Sequence, residues 1–374
     1  MRLEGQSDSR LSPAPDSKPQ TPAKLMIRVP NWVGDAVMAE PALRALRRIF
    51  SESHITLVAR PWVAGLYDGE GLADDLIPVD DAKGFSKSAG HFLSNARRLR
   101  RERFDLAILL QNAMGAALLA RAAGVTNIAG YPTDGRRLLL DYIIPLDPAH
   151  KTTHQVRYYL KIAAHLERKL KGESRVEIDT AKPRLRVTEE ARRQALRLLP
   201  VARQPVVAIN PGATNSRAKQ WLAERFAETA DRLAERDGFQ TIIVGAAGDV
   251  AVANEVAALM RSRPLVLAGR TSIAELKAIL ACSSLVVSND TGTAHVSAAL
   301  GVPTVVVFGP TEHVSTRPLS DAATVVRHDV ECSPCMLRDC PIDHRCMTRV
   351  EVNDVYSAAR NLLEQIANRL RGGL

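Results

Sequence analysis

Apolar and polar positions alternate along this chain in a repeating order. Short β-branched runs are followed by glycine-containing turns and then by segments with helical spacing. The clearest unit runs from residue 284 to 310, SLVVSNDTGTAHVSAALGVPTVVVFGP. Leu285, Val286 and Val287 predict a buried strand, and a polar turn spans 288–293. A small-residue helix follows over 295–300, and a second strand over 304–308 ends at Gly309-Pro310. A strand, loop, helix and strand in this order form a parallel unit. The loop then lies at the carboxyl edge of the sheet, with the helix N–H groups facing whatever binds there.

The same pattern predicts strands over 24–29, 55–59, 75–79, 106–110 and 128–130, and an extended stretch over 138–146. Helices are expected over 36–50, 85–103, 113–123 and 153–170. Residues 171–186 lose the periodicity, and the order then restarts. Strands fall over 206–209, 241–244 and 265–267, with helices over 189–199, 222–236, 250–260 and 273–281. The expected architecture is α/β, with two doubly wound Rossmann-like domains facing a central cleft. Residues 1–23 read as a disordered tail, 24–186 as the first domain and 187–350 as the second. Residues 351–374 read as a helix packing back on the first domain.

At 374 residues, with 46% hydrophobic and 24% charged positions, the chain is long enough for two cores. No stretch has the length of a membrane-spanning helix, and the polar, proline-containing start lacks the apolar core of a signal peptide. These features lead to the expectation of a cytoplasmic protein. The net charge of +9 fits either a solvated basic surface or an anionic partner such as a nucleotide phosphate, a phosphorylated glycolipid or a membrane face. Aromatic residues make up only 4% of the chain and no nucleic-acid-binding spacing occurs, so nucleic acid is not an expected partner.

Three constellations carry candidate chemistry. The turn NPGATNSRAKQW, residues 210–221, follows a strand and combines a tight Pro-Gly bend, hydroxyl and amide side chains (Thr214, Asn215) and the cations Arg217 and Lys219. Backbone N–H groups, hydroxyls and Lys219 together suit a diphosphate. The Walker A spacing is absent. Asp249, in the turn after the next strand, reads equally as a ribose ligand or a helix cap. In the first domain, Gly34-Asp35 occupies the matching turn, where Asp35 is either a cap or a general base. The absence of Asp-x-Asp leaves the leaving-group charge to Lys219 and helix dipoles, with no metal or other cofactor required. Finally, Cys332, Cys335, Cys340 and Cys346 fall within one short loop, 332–346, as ligands of a structural zinc or as reduced thiols. His344 is an optional further ligand.

Four segments in order, VPNWVGDAVMAEPALRALRR, NPGATNSRAKQW, LAGRTSIAEL and VSNDTGTAHVSAALGVPTVVVFGPT, resemble the lipopolysaccharide heptosyltransferases of glycosyltransferase family nine. The resemblance runs from about residue 24 to the carboxyl terminus. It implies a GT-B fold and inverting transfer of heptose from ADP-heptose to the heptosyl-Kdo-lipid A inner core, at the inner membrane face. By the same resemblance Asp35 is the candidate base, and Lys219, Thr214 and Asn215 meet the donor diphosphate. Asp290, Thr291, Gly292 and His295 bind donor phosphate and heptose. Thr271 lines the adenine pocket, and Asp249 is a looser match to a ribose ligand. Competing expectations are a sister enzyme adding the first or third heptose, another sugar transferase, a non-enzymatic nucleotide- or metal-binding module, and a nucleotide-sugar epimerase.

Overall fold

The computed structural model describes residues 22–80, 85–199, 204–214 and 216–372. Two six-stranded parallel sheets organise them. The first contains β1 (Lys24–Arg28), β2 (His54–Ala59), β3 (Asp75–Pro78), β4 (Leu106–Leu109), β5 (Asn127–Gly130) and β6 (Tyr142–Ile143), in the order β3-β2-β1-β4-β5-β6. The second contains β7 (Val206–Asn210), β8 (Gln240–Ile243), β9 (Leu265–Val266), β10 (Leu285–Asn289), β11 (Thr304–Val307) and β12 (Ala323–Val326), in the order β12-β11-β10-β7-β8-β9. Central strands such as β7 and β10 are buried along their whole length, as parallel strands covered on both faces must be. Pro78 is tolerated because β3 lies at the sheet edge.

The covering helices of the first domain are α1 (Val33–Met38), α2 (Glu40–Ile49), α3 (Pro61–Ala64), α4 (Phe85–Glu102), α5 (Met114–Ala122) and α6 (Gln155–Lys171). Those of the second are α7 (Glu189–Leu198), α8 (Ala223–Asp237), α9 (Val250–Leu259), α10 (Ile273–Ala281), α11 (Gly292–Ala299), α12 (His313–Thr316), α13 (Arg345–Thr348) and α14 (Val352–Gly372).

Three expectations change in the structure. The single helix expected over 36–50 is two helices meeting at Ala39, because Pro41 cannot donate to the residue four before it and its ring crowds that carbonyl. The extended stretch over 138–146 begins instead as a 3₁₀ turn, Arg136–Leu139, leaving only Tyr142–Ile143 as strand. The carboxyl-terminal helix does not return to the first domain. Val355, Ala359 and Leu362 on α14 enter the second-domain core with Trp221 and Phe226, and α14 packs on α8 and along β11 and β12. Its apolar stripe is satisfied by the nearest exposed sheet edge and helix of its own domain.

The two domains join through an interface rather than a bare hinge. Helix α1 packs against α11, bringing the carboxyl edges of β1 and β10 together. On α10 the buried Lys277 reaches the first domain, where its Nζ donates to the Leu66 and Asp68 carbonyls, both at 2.9 Å, and to Glu70 Oε1 at 3.0 Å. A desolvated ammonium needs such a full set of acceptors. The connecting segment is held from both sides: Arg184 N donates to Glu40 and Arg186 N to Glu70, while Leu185 N donates to the Ala299 carbonyl.

Candidate active site

The site forms where α1 meets α11. Glycine sets how closely they approach. A Cβ at Gly292 would lie 2.7 Å from Val33 Cβ, and one at Gly34 would lie 3.0 Å from His295 Cδ2. Side chains at either position would hold the two helix starts apart. Helix α1 begins at Val33, so Asp35 lies in its first turn rather than ahead of it. Among the described residues its carboxylate accepts no protein hydrogen bond. Burial pushes its pKa up to about 6, the nearby Lys219 ammonium pulls it down, and the Asp290 carboxylate raises it. Asp35 in turn bears on the buried Tyr159 hydroxyl of α6, whose pKa is raised chiefly by its own burial.

The opposite wall comes from three carboxyl-edge loops of the second sheet. Lys219, at the end of a 3₁₀ turn over Arg217–Lys219, places Nζ 2.9 Å from Asp290 Oδ2. Thr311, in the loop after β11, donates to the same Oδ2 at 2.7 Å. Thr291 precedes α11 at its N-cap position without a side-chain capping bond, and its hydroxyl receives a hydrogen bond from Asn210 Nδ2 at 2.9 Å. His295 is buried on the first full turn of α11. Its pKa is lowered to about 4, chiefly by burial, which outweighs the raising effect of Asp290 and is helped by His154 and Lys219. It is therefore a neutral imidazole at pH 7. Asp35, Lys219, Asp290 and His295 are thus brought into one crevice from segments far apart in sequence.

The remaining predicted residues lie around this group. Thr214 is exposed on the loop after β7, and Asn215 falls outside the described residues. Asp249 is buried and turned toward the backbone. Ala246 N donates to it at 2.9 Å, the Ala213 N–H also binds it, and a Cβ at Gly212 would overlap its carboxylate. Its carboxylate braces the loop after β7 from behind, and burial raises its pKa against those bonds. Thr271 precedes α10 in the loop after β9. That loop packs on the one after β8 through Gly269 N and the Gly245 carbonyl.

Two bracing residues escaped the sequence reading. The fully buried Asn289 donates through Nδ2 to the Pro211 carbonyl at 2.8 Å and accepts from Trp221 N at 3.0 Å. Thr311 anchors Asp290 as described above. The available signal for Asn289 was an amide at the end of an otherwise apolar strand, where a buried polar group must find partners.

The cysteine loop folds behind the same wall. Cys332 and Cys335 are exposed, Cys340 is half-buried and Cys346 is buried, all as free thiols. Burial, then the neighbouring Cys332, Cys335 and Cys340, push the Cys346 thiol up to about 11. The other three cysteines therefore lie within electrostatic reach of Cys346. Among the described residues, however, no three His, Cys, Asp or Glu side chains converge to hold a metal ion.

Two doubly wound domains facing each other in this way have the architecture of a GT-B glycosyltransferase. The family described as glycosyltransferase family 9 (heptosyltransferase) matches residues 92–345, and the chain belongs to that family. It is 28% identical over 313 residues to lipopolysaccharide heptosyltransferase 2 of Escherichia coli strain K12, covering 81% of this chain and 88% of that one. It is 27% identical to the lipooligosaccharide heptosyltransferase 2 of Campylobacter jejuni, covering 91% and 98%. The solved structure of E. coli ADP-heptose lps heptosyltransferase II superposes with a TM-score of 0.78 at 26% identity, covering 92% of this chain and 99% of that one.

Proposed function

We propose that this glycosyltransferase moves heptose from ADP-heptose to the heptosyl-Kdo-lipid A inner core, with inversion at the anomeric carbon. The observation that carries the reading is the meeting of a first-domain carboxylate, Asp35, with the second-domain pair Lys219–Asp290. In this reading Asp35 takes the proton of the acceptor hydroxyl. That oxygen forms its bond to the anomeric carbon from the face opposite ADP, and the bond to the β-phosphate oxygen breaks with its electron pair on ADP. A carboxyl poised near pH 6 is suited to this role. Lys219 and the N–H groups opening α11 receive the charge developing on the diphosphate. Neutral His295, with Thr291 and Gly292, lines the sugar side without competing for the proton. Thr214, Asn215, Asp249 and Thr271 complete the donor pocket, Asp249 chiefly by shaping its loop.

Two further parts belong to this proposal. The cysteine loop supplies four thiols of the right chemistry for a structural zinc, and a bound ion would have to draw the exposed Cys332 and Cys335 inward. The exposed arginines 97, 98, 100, 101 and 103, on and just after α4, face an anionic membrane surface, making the protein peripheral to the inner membrane from the cytoplasmic side. No helix among the described residues is long and apolar enough to cross a membrane. Unchanged liposome association after charge reversal at these arginines removes the membrane part.

The deciding experiment incubates the protein with ADP-heptose and defined truncated cores. ADP release and gain of one heptose on the monoheptosyl acceptor are expected. Turnover only on the heptose-free acceptor assigns the sister reaction, and free sugar released without acceptor assigns an epimerase.

A further inference from the structure

We propose that His344 is a positioning residue for Lys219: its imidazole holds the turn that presents the lysine, so the cysteine loop controls donor affinity from outside the cleft. This rests on the reading that Lys219 meets the donor diphosphate.

Lys219 ends a single 3₁₀ turn of three residues, Arg217–Lys219, with no side-chain cap. Such short turns have poor hydrogen-bond geometry and do not hold a long side chain in register by themselves. Here the middle residue, Ala218, is buried, and both its peptide groups are bound from outside. Its N–H donates to the Arg338 carbonyl at 2.9 Å, and its carbonyl accepts from His344 Nε2 at 2.7 Å. Both partners lie in the cysteine loop. The same loop fastens the strand end beside Asp290. Ser333 Oγ donates to the Gly309 carbonyl at 2.6 Å and Met336 N to the Pro310 carbonyl at 2.8 Å, one residue before Thr311. The loop thus braces both the Lys219 turn and the segment that carries Thr311, the hydroxyl partner of Asp290.

The backbone at His344 adds an independent observation. Its φ is 56°, in the left-handed region, where glycine sits freely and other residues are uncommon. An imidazole is kept at a position whose backbone favours glycine, and its ring is spent on the Ala218 carbonyl. A role confined to the backbone would be served as well by glycine.

The test is therefore His344→Gly, which relieves the backbone and deletes the donor. His344→Asn accompanies it: asparagine tolerates the same φ, but its amide stops short of Ala218. ADP affinity is measured by calorimetry, together with both substrate KM values, kcat and melting. Either variant is expected to weaken ADP binding and raise the donor KM about fivefold to tenfold, with acceptor KM unchanged and melting within a few degrees of the parent. In a Lys219→Ala background the same substitutions should change ADP affinity by less than about twofold. Unchanged ADP affinity in a folded variant, or an equal loss with and without Lys219, overturns the proposal. If Lys219→Ala alone leaves ADP binding intact, the phosphate reading of Lys219 fails instead, and the two failures are distinct.

Discussion

Asp35 and Asp290 stand on the facing carboxyl edges of the two sheets, Asp35 beyond β1 and Asp290 directly after β10. Each follows a central strand of a parallel sheet and stands at the start of a short helix, and the two helices touch. Their surroundings separate them. Asp290 is tied to Lys219 at 2.9 Å and to Thr311 at 2.7 Å. Asp35, with no hydrogen bond from the described residues, is held near pKa 6 by burial. On the proposed function, the carboxylate anchored by a cation and a hydroxyl serves as a scaffold and the one desolvated beside a cation serves proton transfer. The lesson is that helix-start position alone assigns no role; the partners do.

The largest expected effect comes from removing the free member of the pair. Asp35→Asn should lower kcat on the order of 10²-fold or more while ADP binding stays within about twofold, measured by turnover and calorimetry. Near-normal turnover would break the comparison at its centre. Lys219→Ala should come next, costing on the order of 10²-fold in rate and weakening ADP binding as well.

The pH dependence sharpens the same contrast. The base works as its carboxylate, so kcat/KM should be full well above pH 6 and fall about tenfold per unit below it. Lys219 holds the Asp35 pKa down, so in Lys219→Ala the acid limb should move to higher pH. A limb that stays in place would mean that Lys219 does not act on Asp35.

Gly292→Ala forces a Cβ to 2.7 Å from Val33 Cβ and should part the two helix starts. A cost of about 1–3 kcal/mol in stability is expected, with a lower melting temperature. The smallest effect should come from Thr311→Val, which removes one of the Asp290 partners. A rise of a few-fold in donor KM with kcat near normal is expected, since Lys219 remains.

Much of the site was legible because parallel units place their chemistry at one edge. Asp35, Lys219, Asp290 and His295 were each predictable as carboxyl-edge residues, and each lies in a carboxyl-edge loop or the helix it opens. Thr311 and Asn289 were not legible, since their roles are hydrogen bonds across loops that no local pattern encodes. Asp249 shows the limit most clearly. Its turn position read equally as a ribose ligand or a helix cap, and in the structure its carboxylate accepts from the N–H groups of Ala246 and Ala213, a bond set that no local pattern specifies.

The sequence by itself determined the alternation of strands and helices, the two-sheet plan and the turns where reactive groups appear. These follow from periodicity and turn chemistry, which act over a few residues. Tertiary structure alone decided that α1 and α11 meet through Gly34 and Gly292, that α14 stays with its own domain, and that burial separates Asp35 from Asp290. Such outcomes depend on desolvation and on contacts between segments more than 100 residues apart, where no short-range pattern reaches.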